Sequence, residues 1–543
     1  MTDRTDPGDT VTGLLRAAAA RDPDGTWLRT DDGTLSFGAA AARVAVVASR
    51  LQDAGVRRGD LVVLTARSTP PYLLTLLATT VLGAIAVPTN PRATEAELAG
   101  LLAQARPRLL VSDTDLTTTV DAATSRDGAA AELGTVDVAG LAGDWGAGAP
   151  PSVPELPDTA TPDDVAVLIP TSGTTGRSKL VMQTHRAYAW AGEGFPAWME
   201  LTADDVLMTS LPLFHINAQA YSTMGSLSVG AGLVLLPRFS ASRFLDAARR
   251  HGATEFNAIG AMLEILMRQP ERADDADTAL RLVYTGPSPT RERQEEMERR
   301  FGLRIVCGYA MSETPYGLIW PRGRRPFGTL GTVRQHPRLG VVNEARVVDE
   351  AGADVPVGET GELLLRNPVV TPGYWAMPDE TAEVLHDGWL STGDLVTVND
   401  DETFTFVSRR KEVLRRRGEN LSPLEVEEVV AAHPAVQEVA VIGVPSDLSE
   451  EEIKAFVVLA SDPGDVTGTP DDLAALRDWT AERLSAFKVP RYWQVVDELP
   501  RTATARIAKH RLPAGHPADE YDAEAGAGTR ATQDKSPGPD GAG

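Results

Sequence analysis

Val165-Ala-Val-Leu-Ile-Pro-Thr-Ser-Gly-Thr-Thr-Gly-Arg-Ser-Lys-Leu180 is the stretch on which the reading of this chain turns. Its first half, VAVLIP, is a short apolar run of the kind that forms a buried strand. It feeds directly into Thr171, Ser172, Gly173, Thr174, Thr175 and Gly176, and then Arg177, Ser178 and Lys179. Two glycines let the backbone fold tightly and approach an anion. Hydroxyls and successive N–H groups can then surround phosphate oxygens, and Lys179 adds a point charge. No Gly-Lys-Ser/Thr closes the loop, so it is not a Walker loop. The plainer alternative is a Ser/Thr/Gly surface turn.

On both sides of this turn, apolar helical patterns alternate with short β-rich runs. LVVLTA (61–66) leads into PPYLLTLLATTVLGA and then AIAVPTN; RLLVSD (108–113), DVLMTSLPLF, GLVLLPR, EFNAIG and RLVYTG follow. This is the α/β pattern of helices covering largely parallel sheets. After about residue 410 the texture changes: an amphipathic run, LSPLEVEEVVAAHP, then VQEVAVIGV, IKAFVVLA and a last helix, DLAALRDWTAERLSAF. That is a compact α+β unit of roughly 100 residues, the size of a small domain. The predicted organisation is a large domain over 11–407, a boundary at 408–411 and a small domain over 412–515. The first ten residues are polar, and 516–543 carry almost no large apolar side chains, so both ends are expected to be disordered.

The chain has 543 residues, 42% hydrophobic and 24% charged, with a formal net charge of −24. The length fits two or more domains. The acidic balance argues against nucleic acid, which needs a basic face, and against an anionic membrane surface. The longest apolar stretch, 73–88, is interrupted by Thr and Gly and is too short for a membrane span, so no membrane insertion is expected. One cysteine, Cys307, excludes an intrachain disulfide and fits a reducing cytoplasm. MTDRTDPGDT lacks the charged-then-apolar pattern of a signal peptide. Nothing sets the oligomeric state, a homodimer being one option.

The turn at 171–179 resembles the phosphate loop of the adenylate-forming superfamily, which contains acyl-CoA synthetases, peptide-synthetase adenylation domains and beetle luciferases. Further signatures follow in family order over about residues 30–515. Leu211-Pro-Leu-Phe-His-Ile-Asn217 and Ile453-Lys-Ala-Phe-Val-Val458 are most similar to carnitine/crotonobetaine–CoA ligases and medium-chain acyl-CoA ligases. The resemblance implies ATP-dependent activation of a small-molecule acid as its acyl-AMP with release of pyrophosphate, then transfer to coenzyme A.

It also assigns residues. Gly286, Pro287 and Ser288, in Tyr284-Thr-Gly-Pro-Ser288, would lie along the adenine. In Gly308-Tyr-Ala-Met-Ser-Glu313, Tyr309 and Met311 would contact the nucleotide, Tyr309 by stacking on the adenine. Ser312 would bond the α-phosphate and Glu313 would hold Mg²⁺, a hard cation that prefers carboxylate and phosphate oxygens. Ala310 and Ser312 replace the usual glycine and threonine. Asp394, in Asp387-Gly-Trp-Leu-Ser-Thr-Gly-Asp394, would accept from the ribose hydroxyls, and Arg409 would contact ribose or phosphate. Lys411 corresponds to the hinge about which the small domain rotates between the two half-reactions. Gly418, Glu419 and Asn420 would line the pantetheine tunnel. The acid would lie near Phe214, His215, Asn217, Gly260 and Gly286, with His215 as a gate. Read from residues alone, these positions are also compatible with a packed aromatic, a solvated charge or an ordinary turn. The run Arg409, Arg410, Lys411, Arg415, Arg416, Arg417 reads either as a solvated basic face or as local compensation for phosphates.

One departure matters. The family usually ends Pro-x-Thr-x-x-Gly-Lys-Ile, and that lysine bridges the carboxylate and the phosphate. Here Pro500-Arg-Thr-Ala-Thr-Ala-Arg-Ile507 places Ala505 and Arg506 there. Arginine keeps the charge on a broad planar fork. Arg506 acts in an altered pose, or Lys509 is drawn in, or the acid is an atypical small anion. Ser178 and Leu180 depart from the usual proline and glycine of the phosphate loop. The alternative is then an adenylating ligase independent of coenzyme A, with an amine or another small molecule as acceptor; in the last option, for example, the chain would resemble ligase-like enzymes that adenylate nitrite to diazotise an aromatic amine.

Overall fold

The computed structural model of the chain describes residues 9–125, 133–146, 152–171, 178–286, 288–416, 419–445, 451–460, 468–501, 507–517 and 520–524, with backbone alone at 411, 415, 419 and 420. The chain divides into two compact units. The first comprises Met1–Glu359, Leu363–Thr392 and Val398–Thr405; the second comprises Thr360–Glu362, Gly393–Thr397 and Phe406–Gly543.

Two large sheets organise the first unit. One has six strands in the order Gly134–Asp137, Leu109–Ser112, Leu61–Thr65, Ile85–Pro88, Val165–Thr171, Lys179–Thr184. The first five run parallel and the last is antiparallel to its neighbour. Leu61–Thr65, Ile85–Pro88 and Leu109–Ser112 are buried at every position, because helices cover a parallel sheet on both faces. Helix Pro70–Val81 between them is buried at all but one residue. Its sequence is apolar all round, which suits a helix packed on every side, and a proline at its first turn costs no hydrogen bond.

The second sheet has nine strands. Its centre is Arg304–Met311, Leu282–Thr285, Glu255–Asn257, Val206–Thr209, Gly232–Leu235 and Thr26–Thr30, all parallel. The loops that leave the carboxyl ends of four adjacent strands are therefore neighbours in space, although they begin at 210, 258, 286 and 312. Open parallel sheets bind ligands at that edge. A five-stranded sheet follows, in the order Glu344–Val348, Thr360–Arg366, Trp389–Val398, Leu385–His386, with Phe404–Arg409 beside Trp389–Val398.

In the second unit, Leu414–Arg416 pairs with Glu419–Leu421. A four-stranded sheet runs Val436–Pro445, Glu451–Leu459, Tyr492–Val495, Tyr521–Asp522. Helices Pro423–Ala431 and Pro470–Ala481 contribute Val426, Val430, Leu473 and Leu476 to its core around Trp493. The last helix stops at Ala481, short of the expected Phe487, where a separate 3-10 turn covers Ala486–Lys488.

The tail expected to be disordered from 516 is ordered at its start. Tyr521 and Asp522 pair with Trp493 and Tyr492. Charge supplies what apolar area does not: the Asp522 carboxylate accepts two bonds from Arg491, at 3.0 and 2.9 Å, and Lys454, fully buried, pairs with Glu520. Composition alone sees a polar segment and misses its partners on another strand. Residues 1–8 and 525–543 lie outside the described residues.

Candidate active site

The strands on either side of the phosphate turn pair up to its base. Thr171 lies opposite Lys179, and the Thr171 hydroxyl donates to the Lys179 carbonyl at 3.3 Å. Ser172, Gly173, Thr174, Thr175 and Gly176 lie outside the described residues. What the structure adds is the surroundings of Lys179. Its ammonium lies 4.3 Å from the centroid of the Tyr374 ring. The hydroxyl of that same tyrosine donates to Glu313 Oε1 at 2.9 Å. One side chain thus spans the lysine of the phosphate turn and the carboxylate expected to hold Mg²⁺. Burial, and then the charge of Glu313, raise the Tyr374 phenol far above its ordinary range, so it stays a proton donor.

Tyr374 was not singled out by the sequence, although Pro372-Gly-Tyr-Trp375 carried a signal. The segment is laced to the lysine strand: Met182 N–H donates to the Gly373 carbonyl at 3.0 Å and Trp375 N–H to the Leu180 carbonyl at 2.8 Å. Gly373 has φ +135°, and a Cβ there would fall 2.4 Å from Thr381. Only glycine fits this turn, which delivers the tyrosine.

Ser312 and Glu313 form the tight turn of an antiparallel hairpin in which Met311 pairs with Thr314. Gln183 donates to the Ser312 carbonyl, and Thr371 N–H donates to the Glu313 carbonyl at 2.7 Å. Both turn residues are therefore anchored to the lysine strand and the Tyr374 segment. The register breaks between Tyr309 and Met311, as at a β-bulge, which re-aims side chains beside active sites. The Tyr309 hydroxyl reaches Met311 Sδ at 3.6 Å. Cys307 is buried, which pushes its thiol up to about 12 and leaves it no nucleophile.

The expected acid pocket lies along the same strand ends. Phe214 and His215 hold their rings 4.3 Å apart. Asn217 opens a π-helical turn, Asn217–Thr223, and accepts from Asn257 Nδ2 at 2.7 Å. Such turns interrupt helices mainly at functional sites. Gly260 begins helix Gly260–Met267. A Cβ on Gly286 would lie 2.5 Å from the Gly308 carbonyl oxygen, so the turn after Leu282–Thr285 lies against strand Arg304–Met311 only because Gly286 is bare. Ser288 accepts from Gly328 N–H at 3.3 Å, and Pro287 lies outside the described residues.

In the second unit, Asp394 is buried and pairs with Arg409, whose Nε stands 3.2 Å from Oδ1. Arg410 pairs with Glu362 at 2.9 Å, and Arg416, itself buried, with Glu452 at 2.6 Å. Neither sequence reading of the arginine run anticipated this: Arg409, Arg410 and Arg416, the members of the run whose side chains are described, each face a carboxylate of their own unit. Lys411 lies in the 3-10 turn Arg410–Glu412. Nothing is described of the Glu419 and Asn420 side chains, and Gly418 and Arg506 lie outside the described residues. Lys509, the alternative to Arg506, is instead committed to Glu427 at 2.8 Å. Among the described residues no group of three or more His, Cys, Asp or Glu side chains could hold a metal by itself. No helix among them is long and apolar enough to cross a membrane.

Parallel strands whose carboxyl ends carry the residues expected to bind a nucleotide, with a small α+β unit after them in the chain, fit a nucleotide-using activating enzyme. The AMP-binding enzyme family profile matches residues 15–375, and that of the AMP-binding enzyme C-terminal domain matches residues 425–506. The chain belongs to the AMP-binding enzyme family, and it is an ATP-dependent, AMP-forming acid–CoA ligase of the acyl-CoA synthetase kind. It is 34% identical to a crotonobetaine/carnitine–CoA ligase of Salmonella arizonae over 84% of this chain and 89% of that one. ATP-bound MatB from Rhodopseudomonas palustris superposes with a TM-score of 0.81 at 28% identity, covering 92% of this chain and 98% of that one. The anthranilate–CoA ligase AuaEII in complex with anthranoyl-AMP gives 0.82 at 26%, covering 93% and 96%. These relatives do not favour the nitrite-adenylating alternative.

Proposed function

We propose that acid activation is carried by the Lys179–Tyr374–Glu313 cluster. The single observation behind this is that one phenol lies 4.3 Å from the cation and 2.9 Å from the carboxylate. In the first half-reaction an oxygen of the substrate carboxylate attacks the α-phosphorus of ATP, an acyl–phosphate bond forms, and pyrophosphate leaves. In the second, the thiolate of coenzyme A attacks the acyl carbonyl and AMP leaves. Lys179, with the hydroxyls and amides of 171–176, binds the phosphates. Ser312 bonds the α-phosphate, Tyr309 stacks on the base, and Asp394 and Arg409 hold the ribose. Arg506 supplies the cation that other members carry on lysine.

Glu313 suits Mg²⁺ as its one protein carboxylate, since that ion is commonly held by one or two carboxylates plus substrate phosphates. When bound, it would offset phosphate charge. Lys411 is the backbone pivot between half-reactions, and 418–420 receive the pantetheine arm. A cytoplasmic location completes the reading.

ATP–pyrophosphate exchange across an acid panel, with and without coenzyme A, tests the proposal. Exchange without coenzyme A, and net AMP release only with it, is the expected pattern. Steady AMP release in its absence would assign a different acceptor.

A further inference from the structure

Arg334 is 1% exposed, which is rare for this residue type without an anionic partner. Its Nε–H donates to the Leu318 carbonyl at 2.9 Å, and Nη1 to the Tyr221 hydroxyl at 2.5 Å and the Pro315 carbonyl at 3.2 Å. Nη2 donates to the Tyr284 hydroxyl. The rings of Trp198, Tyr221 and Tyr284 lie 5.0–5.2 Å from the guanidinium carbon. Every acceptor is neutral, and among the described residues no carboxylate forms an ion pair with it. Four of its five N–H groups are occupied by these bonds; one on Nη2 is not. Burial works against the charge, but the two phenol oxygens more than offset that, so Arg334 stays cationic. A buried cation surrounded by neutral acceptors carries a desolvation cost that an anion would offset.

Its location says which anion. Tyr221 sits on the π-helical turn that Asn217 opens, and Tyr284 stands two residues before Gly286. A Cβ on Gly308 would fall 2.7 Å from Nη2 and 2.8 Å from the Tyr284 ring, while one on Gly286 would strike the Gly308 carbonyl. Gly308 thus touches the guanidinium on one side and Gly286, on the wall expected to receive the acid, on the other.

We infer that Arg334 selects the substrate: the acid is a short dicarboxylate, with one carboxylate activated and the other paired with the guanidinium at the far end of the pocket. This rests on the acid–CoA ligase reading and narrows its substrate class. A quaternary ammonium acid, of the kind named for the crotonobetaine/carnitine relatives, meets a like charge here.

The experiment compares kcat/KM for ATP–pyrophosphate exchange with malonate, succinate and glutarate against propionate, butyrate and pentanoate. The expected preference for the best diacid over its matched monoacid is roughly 10- to 100-fold, the worth of a charge-assisted hydrogen bond. Arg334→Met should abolish that preference, bringing the diacid to monoacid kcat/KM ratio to about 1. Arg334→Lys, shorter and without a fork, should keep a weaker preference and move the optimum to a longer diacid, which a purely structural arginine would not do. If the Met variant fails to fold, the wild-type and Lys profiles decide. Monoacids used as well as diacids, or a preference that survives Arg334→Met, overturns the inference and leaves acid activation standing. Absence of exchange with every acid, aromatic and medium-chain ones included, removes the ligase reading and this inference with it.

Discussion

Paired cations occur in both units, Arg300 with Asp275 and Arg281 with Asp205 among those of the first, but two cations of the first unit differ from those that hold the second together. In the second, Arg410, Arg416, Lys454 and Lys509 each sit against a carboxylate. In the first, Lys179 faces an aromatic ring and Arg334 faces phenols and carbonyls, and among the described residues neither has an ionic partner. A cation already matched to a carboxylate holds chain segments together and has little attraction left for a ligand. A cation without one retains its pull on phosphate or carboxylate. The difference separates positive charges that build the fold from those reserved for chemistry, and it can be broken by measurement.

The largest effect is expected where a paired cation is buried. Glu452→Gln leaves Arg416, with its side chain 4% exposed, with only the more distant Glu524, at 3.8 Å, to offset a buried charge. Breaking such a pair costs about 3–5 kcal/mol, read as a lower urea midpoint for the second unit. A midpoint that barely moves would mean that the pair is not structural. Next is Lys179→Ala, expected to lower kcat/KM for pyrophosphate exchange by about 10²–10³, the effect of removing a transition-state cation. Its thermal midpoint should hardly change, because no carboxylate is orphaned. A large loss of stability with unaltered exchange would erase the contrast between the units.

His185 sharpens the comparison through pH. It is fully buried beside the first helix, accepting from Val11 N–H at 3.4 Å, and burial lowers its pKa from 6.5 to about 4. A group depressed in the folded state favours folding while neutral. Its contribution is complete above the unfolded pKa of 6.5 and is lost as pH falls toward 4, by about 3 kcal/mol. In the second unit Glu427, raised chiefly by burial although Lys509 opposes it, has the reverse sign: its favourable contribution belongs to low pH. Unfolding between pH 6.5 and 4 should therefore weaken the first unit, and His185→Asn should flatten that slope. The smallest effect belongs to Tyr374→Phe, which deletes only the bond to Glu313. A loss of about tenfold is expected, with the Mg²⁺ requirement shifted upward, since a bond to a charged acceptor is worth about 1.5–3 kcal/mol. Unchanged Mg²⁺ titration would confine Tyr374 to packing.

Much of the first unit was legible because its strands are short, wholly apolar runs, such as Leu61–Thr65 and Leu109–Ser112, which read the same in any context. Glu313 and Ser312 were singled out from a local hexapeptide that carries the family resemblance. Tyr374 was not, because it reaches Lys179 from 195 positions away through pairing with the strand at 179–184. Arg334 was invisible for a related reason: an arginine in a polar stretch reads as a surface residue until three distant aromatics are seen around it. The strand at Tyr521 depends on charges that only the folded sheet places opposite it.

The sequence by itself determined the class of chemistry, because the signatures that carry the family resemblance are short local patterns, readable without knowing which distant segments pack beside them. It determined, too, which residue types stand at the expected nucleotide positions, including Arg506 where lysine is usual. Which cations are neutralised and which are left to attract a ligand was decided only by tertiary structure. That property depends on distances between residues far apart in the chain, and a few ångströms separate an ion pair from an unpaired charge.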